Sequence, residues 1–261
     1  MKRWGWLALV AVGVWLGGCG EGGSLPTGEQ PPAQTPGPDD TVDLPPVTEG
    51  PPPDAGTPGE EPPSPTQSLW PLTPGSTWTY RITDPLRGTF EKTVVVKGPE
   101  LVPETRTTAT AVLSTQPHLE ELSWQLEKDG VVFRVREEDR KQGLLVRSML
   151  WWKDGRWTGT VKSLSQERPV GWTHTLTVAE QTRYGSGEVE TKLKTFTWRV
   201  VAVGETVTTP AGTFTNAVKL QRAREDKAGR ERTYWLVPGV GKVKEEGERT
   251  EELLRYEVKP P

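Results

Sequence analysis

From residue 68 to the C-terminus, apolar and polar residues alternate with a period of two, and this pattern admits strands while excluding most helices. Trp78, Tyr80 and Ile82 alternate with Thr77, Thr79 and Arg81, and Val131, Phe133 and Val135 alternate with Arg134 and Arg136. The period returns in Trp172, His174, Leu176 and Val178, in Phe196, Trp198, Val200 and Ala202, in Phe214, Val218 and Leu220, and in Leu254, Tyr256 and Val258. Abundant threonine suits exposed strand faces. Asp129-Gly130 and Asp154-Gly155 are two-residue hairpin signals, and Tyr184-Gly185-Ser186-Gly187, Lys227-Ala228-Gly229 and Pro210-Ala211-Gly212 mark further reversals. Pro117 to Lys128 comes closest to a helix, but Trp124, Leu126 and the following Asp129-Gly130 favour strand. The expected fold of residues 68–261 is all-β: a strongly curved antiparallel meander of roughly ten strands, an open or half barrel, because a sheet that long curls, splits or closes.

The stretch before this domain cannot fold in the same way. Gly20 to Thr66 holds 14 of the 25 prolines, no Lys or Arg and no aromatic residue. Its acids are Glu21, Glu29, Asp39, Asp40, Asp43, Glu49, Asp54, Glu60 and Glu61. Such a segment buries too little apolar surface to offset chain entropy, so residues 19–67 are expected to be a disordered linker. Proline bias extends it, to at most ~145 Å at about 3.1 Å per residue. A passive spacer is the main reading, with a proline-rich partner ligand as the alternative.

Residues 1–18 read as a signal peptide. Lys2 and Arg3 precede an apolar run from Trp4 to Leu16, which is too short for the roughly 20 residues that cross a bilayer. Leu16-Gly17-Gly18-Cys19 closes the run with the only cysteine of the chain. A lone cysteine in an exported protein has no disulfide partner within the chain, so it is free, paired between chains or modified. These four residues resemble the lipobox of bacterial lipoproteins. The resemblance implies cleavage between Gly18 and Cys19, a thioether-linked diacylglyceryl group on Cys19, and an N-acyl chain such as palmitate. Multiple acyl chains anchor stably where one does not. An ordinary signal peptide with an incidental cysteine is the competing reading. Gly20, rather than Asp, follows the cysteine, which under the enteric sorting rule points to the outer membrane.

The whole chain carries 32 basic and 35 acidic residues. Setting aside Lys2, Arg3 and the linker acids leaves 30 basic and 26 acidic in the folded part, a small scattered excess that gives no nucleic-acid footprint.

Three segments of the domain resemble one another's counterparts in a single family. Leu69-Trp70-Pro71-Leu72-Thr73-Pro74-Gly75-Ser76-Thr77-Trp78-Thr79-Tyr80, Thr209-Pro210-Ala211-Gly212-Thr213-Phe214 with Ala217-Val218-Lys219-Leu220, and Tyr234-Trp235-Leu236-Val237-Pro238-Gly239-Val240-Gly241-Lys242-Val243-Lys244 are similar to the DUF3108-like (TapB-like) group of exported bacterial proteins. The resemblance implies a curved β-sheet and an exported life, and it carries over no catalytic residue. Each segment also has a purely structural account, as a turn or a bend that anchors the next strand.

Signatures of chemistry are sparse. His118 and His174 are the only histidines, and the sole thiol is the lipidation site, so no zinc spacing exists and no metal or cofactor is expected. Gly185-Ser186-Gly187 lacks the G-x-S-x-G spacing of a nucleophile elbow. Glu137-Glu138-Asp139 and Glu245-Glu246 sit beside Arg140 and Lys244 and read as solvated surface, and a calcium loop at Asp139 lacks its pattern. Nine of the 12 tryptophans follow residue 67. Trp151 and Trp152 must face opposite sides of a strand, and Trp157 follows across the Asp154-Gly155 turn, so Trp151, Trp152 and Trp157 form the candidate ligand or partner surface. The expected protein is a non-enzymatic, membrane-anchored envelope lipoprotein that binds an apolar ligand or a partner protein through its curved sheet. A structural or assembly component of the envelope is the alternative.

Overall fold

The computed structural model describes residues 67–261. The signal peptide 1–18, Cys19 with its cleavage neighbour Gly18, and the linker up to Thr66 lie outside the described residues. The strands are β1 (Thr77–Asp84), β2 (Gly88–Leu101), β3 (Thr108–Gln116), β4 (Leu119–Lys128), β5 (Val131–Lys141), β6 (Leu144–Lys153), β7 (Arg156–Trp157), β8 (Thr160–Leu164), β9 (Thr173–Tyr184), β10 (Val189–Thr209), β11 (Gly212–Arg224), β12 (Arg232–Val237), β13 (Gly241–Glu246) and β14 (Thr250–Glu257). One 3-10 turn, Glu225–Lys227, joins β11 to β12.

The expected all-β antiparallel meander is present, and it closes on itself. All strands belong to one 14-stranded sheet. Setting aside β7 and β8, the other twelve form a ring, because β14 pairs with β1 and β5 pairs with β6. The seam is split. Arg136–Lys141 of β5 pair with β6, whereas Val131–Arg134 pair with the short β8 instead. β7 continues the free end of β6 through a Trp152↔Trp157 pair. Closure removes the unpaired edges that an open sheet would leave for aggregation.

The hairpin chemistry explains most of the connections. Asp129 and Gly130 have φ of 54° and 75°, and Asp154 and Gly155 have 51° and 71°. Both central residues are left-handed, as a type I′ turn requires. The same turn joins β5 to β6 at Gln142 and Gly143, with φ of 52° and 79°, where no Asn or Asp announces it in the sequence.

β10 bends sharply. Register shifts between Val200 and Val207 mark successive bulges, and each kinks a strand. The bent tip of the β10–β11 hairpin packs against β12 and β14. There the Trp235 indole N–H donates to Glu205 at 2.7 Å and the Ala211 N–H donates to the Leu253 carbonyl at 3.0 Å. Val207, Ala217, Trp235 and Val237 belong to one apolar cluster with Trp78, Ile82 and Leu253. A second cluster joins Trp151, Trp198, Leu220 and Leu236 to Leu69, and a third sets Trp124 against Val102, Ala109 and Ala111. Trp78, Trp124, Trp151, Trp198 and Trp235 are buried, so packing accounts for five of the nine tryptophans among the described residues.

The three family-like segments meet in space, and each acts as a structural part. The Trp78 indole N–H donates to the Val240 carbonyl at 2.7 Å, and the Tyr80 hydroxyl donates to the Lys242 carbonyl at 2.9 Å. Gly241 has φ of 96°, and a Cβ there would come within 3.3 Å of Pro71 Cδ, so neither the conformation nor the space tolerates a side chain. Phe214, just after the β10–β11 turn, packs near Tyr256 with ring centroids 6.0 Å apart.

The outer face is polar. Thr175 pairs with Thr197 and Thr177 with Thr195 through exposed hydroxyls, and Arg81 pairs with Glu252 at 2.7 Å.

Candidate functional site

Period-two reasoning assigns the apolar positions of a strand to the inside. In this barrel several of those assignments reverse. In β14 the buried residues are Glu251 and Leu253, while Tyr256, on the expected inner face, is exposed. In β5, Glu137, Glu138 and Asp139 are all buried, not solvated, and Arg134 lines the interior. Glu245 is buried in β13, and only its neighbour Glu246 is exposed. A bulge between Trp124 and Gln125 shifts the register against β5, so Arg134 and Glu137 reach the same cavity across an odd spacing. For Glu137, Glu245 and Glu251 the common cause is that this lumen is charged, whereas Glu138 is buried against Arg136 at 3.0 Å.

The lumen holds a cavity of about 530 Å³. Twelve Lys and Arg side chains and seven Asp and Glu side chains line it, so its electrostatic sign is positive. Trp70 and Leu72, from the segment before β1, also line the wall, as do Met149, Phe196 and Tyr234. That segment is fixed by the Leu69 N–H donating to the Ser165 carbonyl at 2.9 Å and by the Trp70 indole N–H donating to Gln125 at 2.8 Å.

One network centres on Glu251. Its carboxylate accepts from Lys92, from Lys242 at 2.6 Å and from Arg249 at 2.6 Å. Burial alone would raise its pKa, but Lys242, Lys92 and Arg249 together hold it well below the ordinary carboxylate value. Lys242 also reaches Glu245 at 2.5 Å, and despite burial these two carboxylates keep its ammonium charged beyond the usual lysine range. Lys92 has only Glu251, burial dominates, and its pKa is lowered. Arg232 reaches Glu245 at 3.3 Å and extends the network toward Glu248 at 3.1 Å.

A second network crosses the seam. Glu121, Glu137 and Asp139 bring carboxylate oxygens within 4.8 Å of one another, a donor set a cation could use. Arginines fill that electrostatic role. Arg134 contacts Glu137 and lies 3.7 Å from Glu121, and Arg147 Nε donates to Asp139 at 2.6 Å. Burial raises the Asp139 pKa, whereas Lys162 and Arg134 outweigh burial at Glu121 and lower it. Glu180 accepts from Lys194 and from the Trp151 indole N–H at 2.9 Å.

Among the described residues, nine of the twelve lining cations have a carboxylate oxygen within 4.0 Å; the exceptions are Arg87, Lys162 and Arg222. Arg87 is exposed at the β1–β2 turn. Lys162 and Arg222 instead lie against aromatic rings: Lys162 Nζ is 5.8 Å from Trp70, and the Arg222 guanidinium is 5.6 Å from Trp198 and 5.9 Å from Phe196. Burial, followed by the nearby Arg134, lowers the Lys162 pKa to about 7. Sequence reasoning missed both residues. Arg222 and Arg224 fall in phase with the buried Leu220, and that was the available signal.

The tryptophan surface divides. Trp151 is 1% exposed and belongs to the core beneath the Arg134 guanidinium, so it is not a surface residue. Trp152 and Trp157 are half-buried and stack on each other with centroids 3.6 Å apart. Trp157 also borders a second, more apolar recess of about 410 Å³ with Leu126, Phe133, Val135, His174 and Leu176. His174 stacks on Trp172 at 5.9 Å, its buried Nε2 has no partner among the described residues, and burial lowers its pKa. His118 is exposed in the β3–β4 turn.

No family model and no curated protein matches the chain, so the similarity to the DUF3108-like group rests on the three segments alone. Two solved structures are similar to it. One is described as a "putative lipoprotein" from Parabacteroides distasonis; it is 13% identical, the match covers 74% of this chain and 100% of that one, and the TM-score is 0.41. The other is described as a "putative exported protein with YmcC-like fold" from Bacteroides fragilis, 11% identical over 73% of this chain and 99% of that one, with a TM-score of 0.43. Both likenesses are remote.

Proposed function

We propose that this chain is an acyl-anchored, non-enzymatic lipoprotein of the cell envelope whose barrel holds a polar small molecule in its lumen. The observation that carries the reading is the charged cavity of about 530 Å³ inside a closed wall. Burying ions costs several kcal/mol each unless they are well paired. A barrel needing only a core would fill with apolar side chains, as small barrels do. The volume falls in the range of small-molecule sites. The apolar ligand expected from the tryptophan count is a poor match to this wall.

The anchor and tether rest on Lys2 to Cys19 and on the acidic, proline-rich linker, with Gly20 favouring the outer membrane. The non-enzymatic reading rests on the lumen carboxylates: Glu121, Glu245 and Glu251 are paired and held ionised, the opposite of the protonated acid that a hydrolase needs. A second reading is favoured by the recess beside Trp157, where apolar walls and the unpartnered His174 Nε2 suit an apolar molecule with one polar group, or a partner's side chain.

Native mass spectrometry of the protein extracted gently from its own membrane tests both. The lumen reading expects a discrete polar adduct, or uptake of one from a pool of polar metabolites. A protein that stays empty, with reproducible protein crosslinks in intact cells, would replace it with an assembly role.

A further inference from the structure

We propose that the lumen ligand is an anion whose carboxylate or phosphate group sits between Lys162 of β8 and Arg222 of β11, with Arg134 of β5 beside them. This inference rests on the reading of the lumen as a binding chamber and specifies what the chamber takes.

The charge arrangement singles out these residues. Apart from the exposed Arg87, every other lumen-lining cation has a carboxylate oxygen within 4.0 Å among the described residues, in several cases a shared one. An unpaired buried cation is costly, and proteins tolerate such groups chiefly at functional sites. Here Lys162 and Arg222, both half-buried and with no carboxylate oxygen within 4.0 Å among the described residues, line one cavity. Arg134 is close enough to both to feel and exert repulsion: Arg222 helps to lower the Arg134 pKa, and Arg134 helps to lower that of Lys162. Arg134 also retains a buried Nε with no partner. An oxyanion in the cavity would supply the charge-assisted hydrogen bonds that Lys162 and Arg222 lack. Trp70 beside Lys162, and Phe196 and Trp198 beside Arg222, offer flat apolar walls for the organic part of the ligand.

The groups facing Lys162 are Arg134 from β5, Glu121 from β4, and Lys242 and Glu245 from β13. Glu121 is held ionised and supplies part of the counter-charge. Because the Lys162 pKa is lowered to about 7, its ammonium is charged below neutrality and is lost as pH rises above it. Anion affinity therefore falls between pH 6 and pH 8. The same shift makes the empty fold gain stability as pH rises from about 7 toward the ordinary lysine value, where the unfolded chain binds the extra proton.

The test is calorimetric titration of the full-length protein in detergent with benzoate, citrate and inorganic phosphate, alongside the neutral counterparts benzamide and sorbitol. At least one anion is expected to bind at pH 6, and Lys162→Met and Arg222→Met should each weaken it by about tenfold or more, the scale of a lost charge-assisted contact. The affinity should drop by pH 8 in the native protein and stay level in Lys162→Met. Lys162→Met should also be at least as heat-stable as the native protein, which separates lost binding from lost folding. Equal binding of benzamide and benzoate, or anion affinity untouched by Lys162→Met, would overturn the anion seat while leaving the chamber intact. Failure of every probe, charged and neutral, up to millimolar concentration would overturn the chamber reading as well.

Discussion

Glu251→Gln is expected to destabilise the fold by about 3–5 kcal/mol, the cost of removing one partner from a buried ion pair. Glu251 is 1% exposed and is shared by Lys92, Lys242 and Arg249, so neutralising it leaves three cations facing one another with only Glu245 nearby. Equilibrium denaturation should show a lower midpoint at an unchanged slope. The variant should also respond differently to acid. The folded-state pKa of Glu251 is depressed, so its contribution is fully present above the unfolded value near 4.5 and is lost only as pH falls through the depressed value. Glu251→Gln should therefore flatten the acid limb of the stability profile. Replacing Lys92 by Met at the same time should recover part of the loss, since the two groups are directly coupled. A Glu251→Gln protein as stable as the native one would mean that Glu251 faces solvent.

Trp151→Ala is the second large effect, about 3–5 kcal/mol for a buried aromatic truncated to Ala. The ring lies under the Arg134 guanidinium at 4.9 Å, and its N–H donates to Glu180, so the loss combines a void with a weakened seam network. Trp152→Ala removes one half of a half-buried stack and should cost about 1 kcal/mol. Thermal unfolding of the two variants side by side distinguishes the neighbours. Equal losses would contradict the assignment of Trp151 inward and Trp152 outward.

The contrast between these two residues shows what the sequence could and could not reveal. That adjacent tryptophans on a strand face opposite sides follows from geometry, and so does the hairpin at Asp154-Gly155. Which side is inside does not follow. The rule that apolar positions face inward presumes an apolar interior, and here Lys92, Arg134, Lys242 and Glu251 occupy inward positions. Charged residues in phase with buried ones, such as Arg222 and Arg224 with Leu220, were the only local trace of this. Closure was hidden for a different reason. It depends on the first strand pairing with the last, Thr77 opposite Glu257, a long-range contact that no local signal announces. The three family-like segments were legible as turns, but their meeting at Trp78, Val240 and Leu253 is a long-range fact.

Lys162 offers the most direct measurement of whether the lumen is a charged chamber with an unpaired cation. Reductive ¹³C-methylation of the lysines, followed by NMR across pH, resolves each amine by its titration. One resonance, absent from the Lys162→Met spectrum, is expected to titrate near pH 7, where burial and Arg134 place it. Titration of that resonance in the ordinary lysine range near 10.5 would mean that Lys162 is solvated or already paired, and the anion seat at Lys162 would fall with it.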